Sequence, residues 1–203
     1  MLGEAIVSRY AAGAPIFAKG DPGISMMAVL AGRIMISSLS ADGREVVLNI
    51  IGEGEIFGEI ALLDGKERTA DATAMTDCEL LVLPRRSFLP LLERRPELAT
   101  ELLMVLCGRL RRTSEQVEDM LFLDVEARIA KILLRLVRDR SAEALPPGAG
   151  ATVRISQRDL GNLVGASRES VNKHLQDWKR SGIIGITKGA IVIRNADALA
   201  DFT

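Results

Sequence analysis

The chain is poor in the residues that mark metal, disulfide and membrane proteins. Its 203 residues include two cysteines and one histidine. Cys78 and Cys107 stand alone, with neither a C-x-x-C pair nor metal-ligand spacing, which excludes a disulfide framework and a cysteine-held cluster. Ordinary buried thiols are the simpler expectation. His174, the single histidine, argues against a His-rich metal site, so no metal is expected. No apolar run approaches the roughly 18 residues of a membrane-spanning helix. The opening MLGEAIVSRY is short, mixed and followed by Gly and Pro, unlike a secretory signal. A cytoplasmic protein with no membrane partner is expected. There is no Walker loop, kinase motif or nucleophile–base pair, so catalysis is not expected.

A strong charge of one sign is also missing. The net charge of −1 does not by itself suggest nucleic acid, but its distribution does. From Arg154 to Lys188 seven basic residues face three acidic ones, a net +4 that leaves −5 on the remainder. A small basic module on an acidic body points to a phosphate-binding end.

What is present is an ordinary globular composition, 48% apolar and 26% charged, enough for one large domain or two small ones. As far as Pro84, short apolar stretches (IMISSL, VVLNII, IFGEIALL, CELLVLP) alternate with Gly, Pro and Asp turn signals, as in a compact β-roll or barrel. From Ser87 the period changes, and Pro96 suits the first turn of a helix. Leu103, Leu106, Leu110, Thr113, Val117 and Met120 then recur at 3-4-3-4-3 spacing, the seam of a coiled coil. A dimer seam fits this narrow stripe better than a helix packed on its own domain. Phe122-Leu123-Asp124 interrupts it. An amphipathic helix with Ile129, Ile132, Leu133, Leu136 and Val137 on one face follows, then a loop from Leu145 to Ala151. The fold class expected is α+β, with a β-roll over 1–95, a dimerisation helix over 96–122 and a DNA-binding domain over 123–203.

The segment SQRDLGNLVGASRESVNKHLQDWKRSGII begins at Ser156. Ser156 with Asp159 three residues on resembles a capping box. Leu160, Leu163 and Val164 give a short helix an apolar face, Gly165 permits a tight turn, and Ser167 caps a second helix carrying Val171, Leu175 and Trp178 inward. This is a helix-turn-helix pattern, whose second helix enters the major groove by its N-terminal end. Ser167, Arg168, Glu169, Asn172 and Lys173 are presented there, with Ser156 and Gln157 at the start of the first helix. Arg and Lys can bond guanine, Glu can accept from cytosine, and a capping Ser suits a phosphate. Two strands, 183–187 and 190–194, turn at Lys188-Gly189 as a wing, with Lys188 at its tip.

A second constellation is FGEIALLDGKERTA, residues 57–70. Gly58 and Glu59 end a strand, and Arg68-Thr69-Ala70 follow a short loop or helix. Arg beside small residues suits a phosphate, and a carboxylate suits a ribose hydroxyl. From the residues alone, Glu59 and Arg68 fit a structural ion pair as well.

On these two segments, and over nearly its whole length, the chain resembles the Crp–Fnr family of transcription regulators, and within it the cyclic-AMP receptor branch. The family's phosphate-binding cassette looks like FGE(I/L)ALL followed by R(T/S)A. The resemblance implies a cyclic-nucleotide-binding β-roll of the double-stranded β-helix type, a long dimerisation helix and a C-terminal winged helix-turn-helix. It implies that Arg68 pairs with a cyclic phosphate and that Glu59 binds the ribose 2′-hydroxyl. Gly58 and Thr69 would line the phosphate site, with Ile60, Ala61 and Ala70 in the same cassette. Thr113 would meet adenine within its own subunit and Ser114 across a homodimer, with the dimer formed through the helix around Leu103 to Met120. Arg168, Glu169 and Lys173 match three base-reading positions, Lys173 standing where the family commonly has Arg. Lys cannot form the same planar fork.

The implied effector is cyclic AMP, and the implied partners are a double-stranded DNA operator and RNA polymerase. Cyclic GMP shares the phosphate and ribose contacts and stays open, with Thr113 leaning toward cyclic AMP. An iron–sulfur sensor would need an N-terminal cysteine cluster, and a haem sensor a histidine outside the DNA-binding module. By the resemblance, the helix expected before the β-roll would be shorter in this sequence than is usual in the family. From another class, a ligand-free architectural DNA binder would bind DNA equally with and without nucleotide.

Overall fold

A computed structural model describes residues 5–138, 151–187 and 189–203. It divides into two compact units, Met1–Arg111 and Arg112–Thr203, with the division inside a helix.

In the first unit the strands are β1 (Ile6–Tyr10), β2 (Pro15–Phe17), β3 (Ser25–Ala31), β4 (Ile34–Leu39), β5 (Glu45–Ile51) and β6 (Ile56–Phe57). Helix α1 (Glu59–Asp64), strands β7 (Asp71–Ala74) and β8 (Cys78–Pro84), helix α2 (Arg85–Arg94) and the first part of α3 (Glu97–Phe122) complete it. The strands form two four-stranded antiparallel sheets, ordered β1-β8-β3-β6 and β2-β7-β4-β5. Alternate side chains of each sheet turn inward, as period two requires: Met27 and Val29 from β3, Ala72 and Ala74 from β7, Cys78 and Leu80 from β8. With Ile34, Ile51 and Phe57 they make one apolar core, the expected β-roll. A second cluster, Met26, Leu62, Phe88 and Leu102, fastens α1, α2 and α3 to it.

Four expectations need correction. The stretch IFGEIALL, placed among the strands, is extended only to Phe57: Gly58 takes a left-handed φ of 77°, ending the strand where the cassette reading put its end, and Glu59–Asp64 is helical. Extended pairing cannot continue through that backbone, and Ala61 and Leu62 instead bury against the roll. Leu106 leaves the expected seam in part, half-buried against the second cluster, while Met104, Leu121 and Phe122 add exposed apolar surface outside the heptad positions. Of the two thiols only Cys78 is buried; Cys107 is exposed. Ala151 belongs to a strand rather than to the expected loop, whose residues 145–150 lie outside the described ones.

The second unit continues α3 and then breaks at Leu123-Asp124, as its sequence predicts. Asp124 Oδ1 accepts from the Ala127 N–H at 2.8 Å and starts α4 (Val125–Arg138). Strand β9 (Ala151–Val153), helices α5 (Gln157–Val164) and α6 (Arg168–Arg180), strands β10 (Ile184–Thr187) and β11 (Ala190–Ile193) and helix α7 (Ala196–Ala200) follow. The wing is a three-stranded sheet ordered β10-β11-β9. Ile129, Leu133, Leu160, Val171, Leu175, Trp178, Ile184 and Leu199 are buried. Trp178 satisfies its indole N–H by donating to Glu126 Oε1 at 3.0 Å, which ties α6 to α4.

Candidate functional site

In the first unit the cassette is built around a backbone that only glycine tolerates. Gly58 opens α1 in the left-handed region, and a Cβ placed there would stand 2.6 Å from Arg68 Nη1. That close approach lets Arg68 Nη1 donate to the Gly58 carbonyl at 2.7 Å. Arg68 Nη2 donates to the Ser25 carbonyl at 2.7 Å and to Ser25 Oγ at 3.2 Å. The guanidinium carbon lies 4.2 Å from the centroid of the Phe17 ring. Arg68 is 5% exposed and Glu59 is 1% exposed, so two opposite charges are held inside the roll's rim. Burial depresses the Arg68 pKa, while the charges of Asp21 and Glu59 oppose that shift. Arginine stays protonated under such a shift.

Glu59 is paired, but not with Arg68. Its ion-pair partner is Arg109 of α3, whose Nη2 also donates to the Ile56 carbonyl. The Arg109–Glu59 contact lacks hydrogen-bond alignment. Glu59 Oε1 and Arg68 Nε therefore remain without a hydrogen-bond partner among the described residues. Arg109 meets the charge of Glu59, so the atom left over is Arg68 Nε, a buried cationic donor, and natural interiors rarely tolerate such an atom unless something else meets it. Around them, Ala61 and Ala70 are buried, Ile60 is 45% exposed and Thr69 is exposed. Thr113 and Ser114 lie on the exposed surface of α3 in the second unit. The donors fit an anionic oxygen and the carboxylate fits a hydroxyl, the chemistry of a sugar phosphate.

Arg109, Ser25 and Phe17 belong to this site and the sequence reading missed all three. Only Arg109 left a trace: it follows Leu102 and Leu106 on the inward stripe of α3, where an arginine needs a partner.

In the second unit the capping and turn signals of the helix-turn-helix find their geometry. Ser156 Oγ accepts from the Asp159 N–H at 3.0 Å, and Ser167 Oγ accepts from the Ser170 N–H at 3.1 Å. Gly165 closes α5 at a φ of 65°. Arg168, Glu169, Asn172 and Lys173 are exposed together on the first two turns of α6, while Val171 and Leu175 face inward. Hydrogen bonds from its own backbone N–H and then from the Ser167 hydroxyl hold the Glu169 carboxyl below the usual range, so it is an acceptor at neutral pH. Gln157 is half-buried and Ser156 exposed at the start of α5. Ser156, Gln157, Arg158, Arg168 and Thr187 line a concavity between the helix-turn-helix and the wing. Arg158 is the residue missed there, counted in sequence only as charge. Lys188 lies outside the described residues. Among the described residues no group of three or more His, Cys, Asp or Glu side chains could hold a metal ion. No helix among them is long and apolar enough to cross a membrane.

Comparison with known proteins agrees with this division. Residues 7–95 match the cyclic nucleotide-binding domain and residues 127–202 the Crp-like helix-turn-helix domain. The chain is 35% identical over 192 residues to a CRP-like cAMP-activated global transcriptional regulator of Mycobacterium tuberculosis, covering 93% of this chain and 84% of that one. It is 34% identical to the cyclic AMP receptor protein of Thermus thermophilus, covering 95% and 85%. Among solved structures, the c-di-GMP responsive global regulator CLP of Xanthomonas campestris superposes with a TM-score of 0.83 at 28% identity, covering 95% of each chain. These relatives are transcriptional regulators, not enzymes.

Proposed function

Since the chain belongs to the Crp–Fnr family of transcription regulators, a ligand-responsive DNA-binding protein with a cyclic-nucleotide-binding domain, we propose that its effector is cyclic AMP and that it acts as a homodimer on a palindromic operator. The observation that carries the effector reading is Arg68 Nε, a buried cationic donor with no hydrogen-bond partner among the described residues, in the same cassette as the buried carboxylate of Glu59. Arg68 would hold the cyclic phosphate, with Gly58, Ala61, Thr69 and Ala70 keeping the space around it small. Glu59, held by Arg109, would accept from the ribose 2′-hydroxyl. When bound, the nucleotide supplies the anionic oxygen and the hydroxyl that this donor set lacks. Thr113 and Ser114 are the proposed base contacts, and the choice of adenine rests on them.

The dimer reading draws on α3. Leu103, Leu110, Val117 and Met120 are 60%, 68%, 52% and 46% exposed, an apolar stripe along a 26-residue helix. A polar Thr113 within that stripe costs stability unless it has a bonding role. An effector that favours one seam geometry would set two recognition helices about 34 Å apart, one turn of DNA. Arg168, Glu169 and Lys173 would read base edges, and Ser156, Gln157, Ser167 and Lys188 would contact phosphates. RNA polymerase is the proposed downstream partner, reached from the cytoplasm.

The test is a titration of cyclic AMP and cyclic GMP against binding of a palindromic duplex, followed by fluorescence anisotropy. Cyclic AMP should tighten DNA binding and cyclic GMP should do so less. The Arg68→Leu variant should lose the response. Equal DNA affinity with and without nucleotide would support a ligand-free architectural binder instead, and an unchanged response in Arg68→Leu would end the cassette reading. A response to a cyclic dinucleotide alone would replace cyclic AMP as the effector.

A further inference from the structure

Three side-chain amides meet on the face of α6 that is proposed to enter the groove. Gln157 Nε2, in the first turn of α5, donates to Asn172 Oδ1 at 3.2 Å. Gln176 Nε2, one turn further along α6, donates to the same oxygen at 3.4 Å. A carbonyl oxygen has two lone pairs, and here two glutamines engage both. The Asn172 amino group is left with two N–H donors and no acceptor among the described residues, on an exposed side chain.

This arrangement limits what Asn172 can recognise. An asparagine that reads adenine uses both ends of its amide, accepting from N6 and donating to N7. With its oxygen already engaged, Asn172 offers donors only. Guanine presents two acceptors, O6 and N7, in the major groove and can take both N–H groups, whereas thymine presents one acceptor beside a methyl group, cytosine a donor, and adenine an acceptor next to a donor. We infer that Asn172 is a donor-only base reader that selects guanine at one position of each half-site, and that Gln157 and Gln176 are the positioning residues that fix its amide. The inference rests on the groove-entry reading of α6 and extends it to the sign of one contact. It also links α5 to the recognition surface: Gln157 holds a reading residue on the neighbouring helix.

The experiment uses the full chain with cyclic AMP added and a set of palindromic duplexes in which each base pair of the half-site is varied in turn. Wild type should show one position where guanine is preferred by about tenfold, the scale of one good base contact. Asn172→Ala should flatten that position alone and leave the other positions and the salt dependence unchanged. Asn172→Asp keeps the shape but replaces donors with an acceptor, and should move the preference at that position to cytosine. Gln176→Ala frees one lone pair of Oδ1 and should narrow the gap between guanine and adenine there, a change that loss of helix stability would not produce. A wild-type preference for adenine or cytosine at the position that Asn172→Ala flattens overturns the donor-only assignment, and a preference for thymine there overturns the selection of guanine. Discrimination that survives Asn172→Ala at every position overturns the role of Asn172 while leaving groove entry intact. A wild type that binds all duplexes alike overturns groove entry and this inference together.

Discussion

The Glu59–Arg109 pair permits a prediction in which the two partners respond unequally. Glu59 is 1% exposed, whereas the Arg109 side chain is 22% exposed. In Arg109→Met the apolar stem survives but Glu59 keeps a buried charge with no cation on it. Removing one partner of a buried pair costs about 3–5 kcal/mol. Because Arg109 reaches solvent in part, the lower end applies, about 3 kcal/mol, since the pair is already partly screened. In Glu59→Gln the orphan is Arg109, which can turn its guanidinium toward water, so about 1 kcal/mol is expected. The double variant removes both charges and should be more stable than Arg109→Met alone, a coupling of about 2 kcal/mol in the double-mutant cycle. Thermal unfolding followed by circular dichroism reads this directly: about 6–12 °C lost for Arg109→Met and about 2–4 °C for Glu59→Gln. Strict additivity, or a larger loss for Glu59→Gln than for Arg109→Met, would show that the pair does not hold Glu59 in place.

Other outcomes follow from single contacts. Gly58→Ala forces a Cβ toward Arg68 Nη1, 2.6 Å away, at a left-handed φ; about 1–2 kcal/mol of stability and at least about tenfold in cyclic-nucleotide affinity should be lost, read by chemical denaturation and calorimetric titration. Thr113→Ala should reduce the preference for cyclic AMP over cyclic GMP while leaving phosphate-dependent binding in place; unchanged selectivity would remove Thr113 from base recognition. Glu126→Leu leaves the Trp178 indole N–H without its acceptor and should cost about 1–3 kcal/mol, visible as a lower denaturant midpoint and a shifted Trp178 fluorescence. Leu110→Glu puts a charge on the exposed stripe of α3 and should convert a dimer to monomer in sedimentation equilibrium; an unchanged mass would place the dimer contact elsewhere.

Much of the fold was legible because it is written in local patterns. The helix-turn-helix follows from two capping serines, a glycine between them and apolar residues at helical spacing, and the structure satisfies each of these. The turns of the roll and the break at Leu123-Asp124 are equally local. The end of β6 at Gly58 was legible, but helix α1 was not, because IFGEIALL is continuous in hydropathy and its second half reads as loop or helix equally until the fold buries Ala61 and Leu62. The partial inward turn of Leu106 was hidden for a similar reason: a heptad stripe does not say which of its members the chain's own roll will cover.

The candidate site divides in the same way. The sequence by itself nominated the candidate residues: Glu59 and Arg68 through the resemblance of the cassette, and Arg168, Glu169, Asn172 and Lys173 on the proposed recognition helix through residue type and short spacing, which are local properties. Only the tertiary structure decided what each of them is bonded to. Arg68 is satisfied by Gly58 and Ser25 rather than by Glu59, and Glu59 is met by Arg109, fifty positions away in the chain. Asn172 has its oxygen engaged from a neighbouring helix. Hydrogen bonds and ion pairs act over a few ångströms of space, and folding sets those distances independently of separation along the chain.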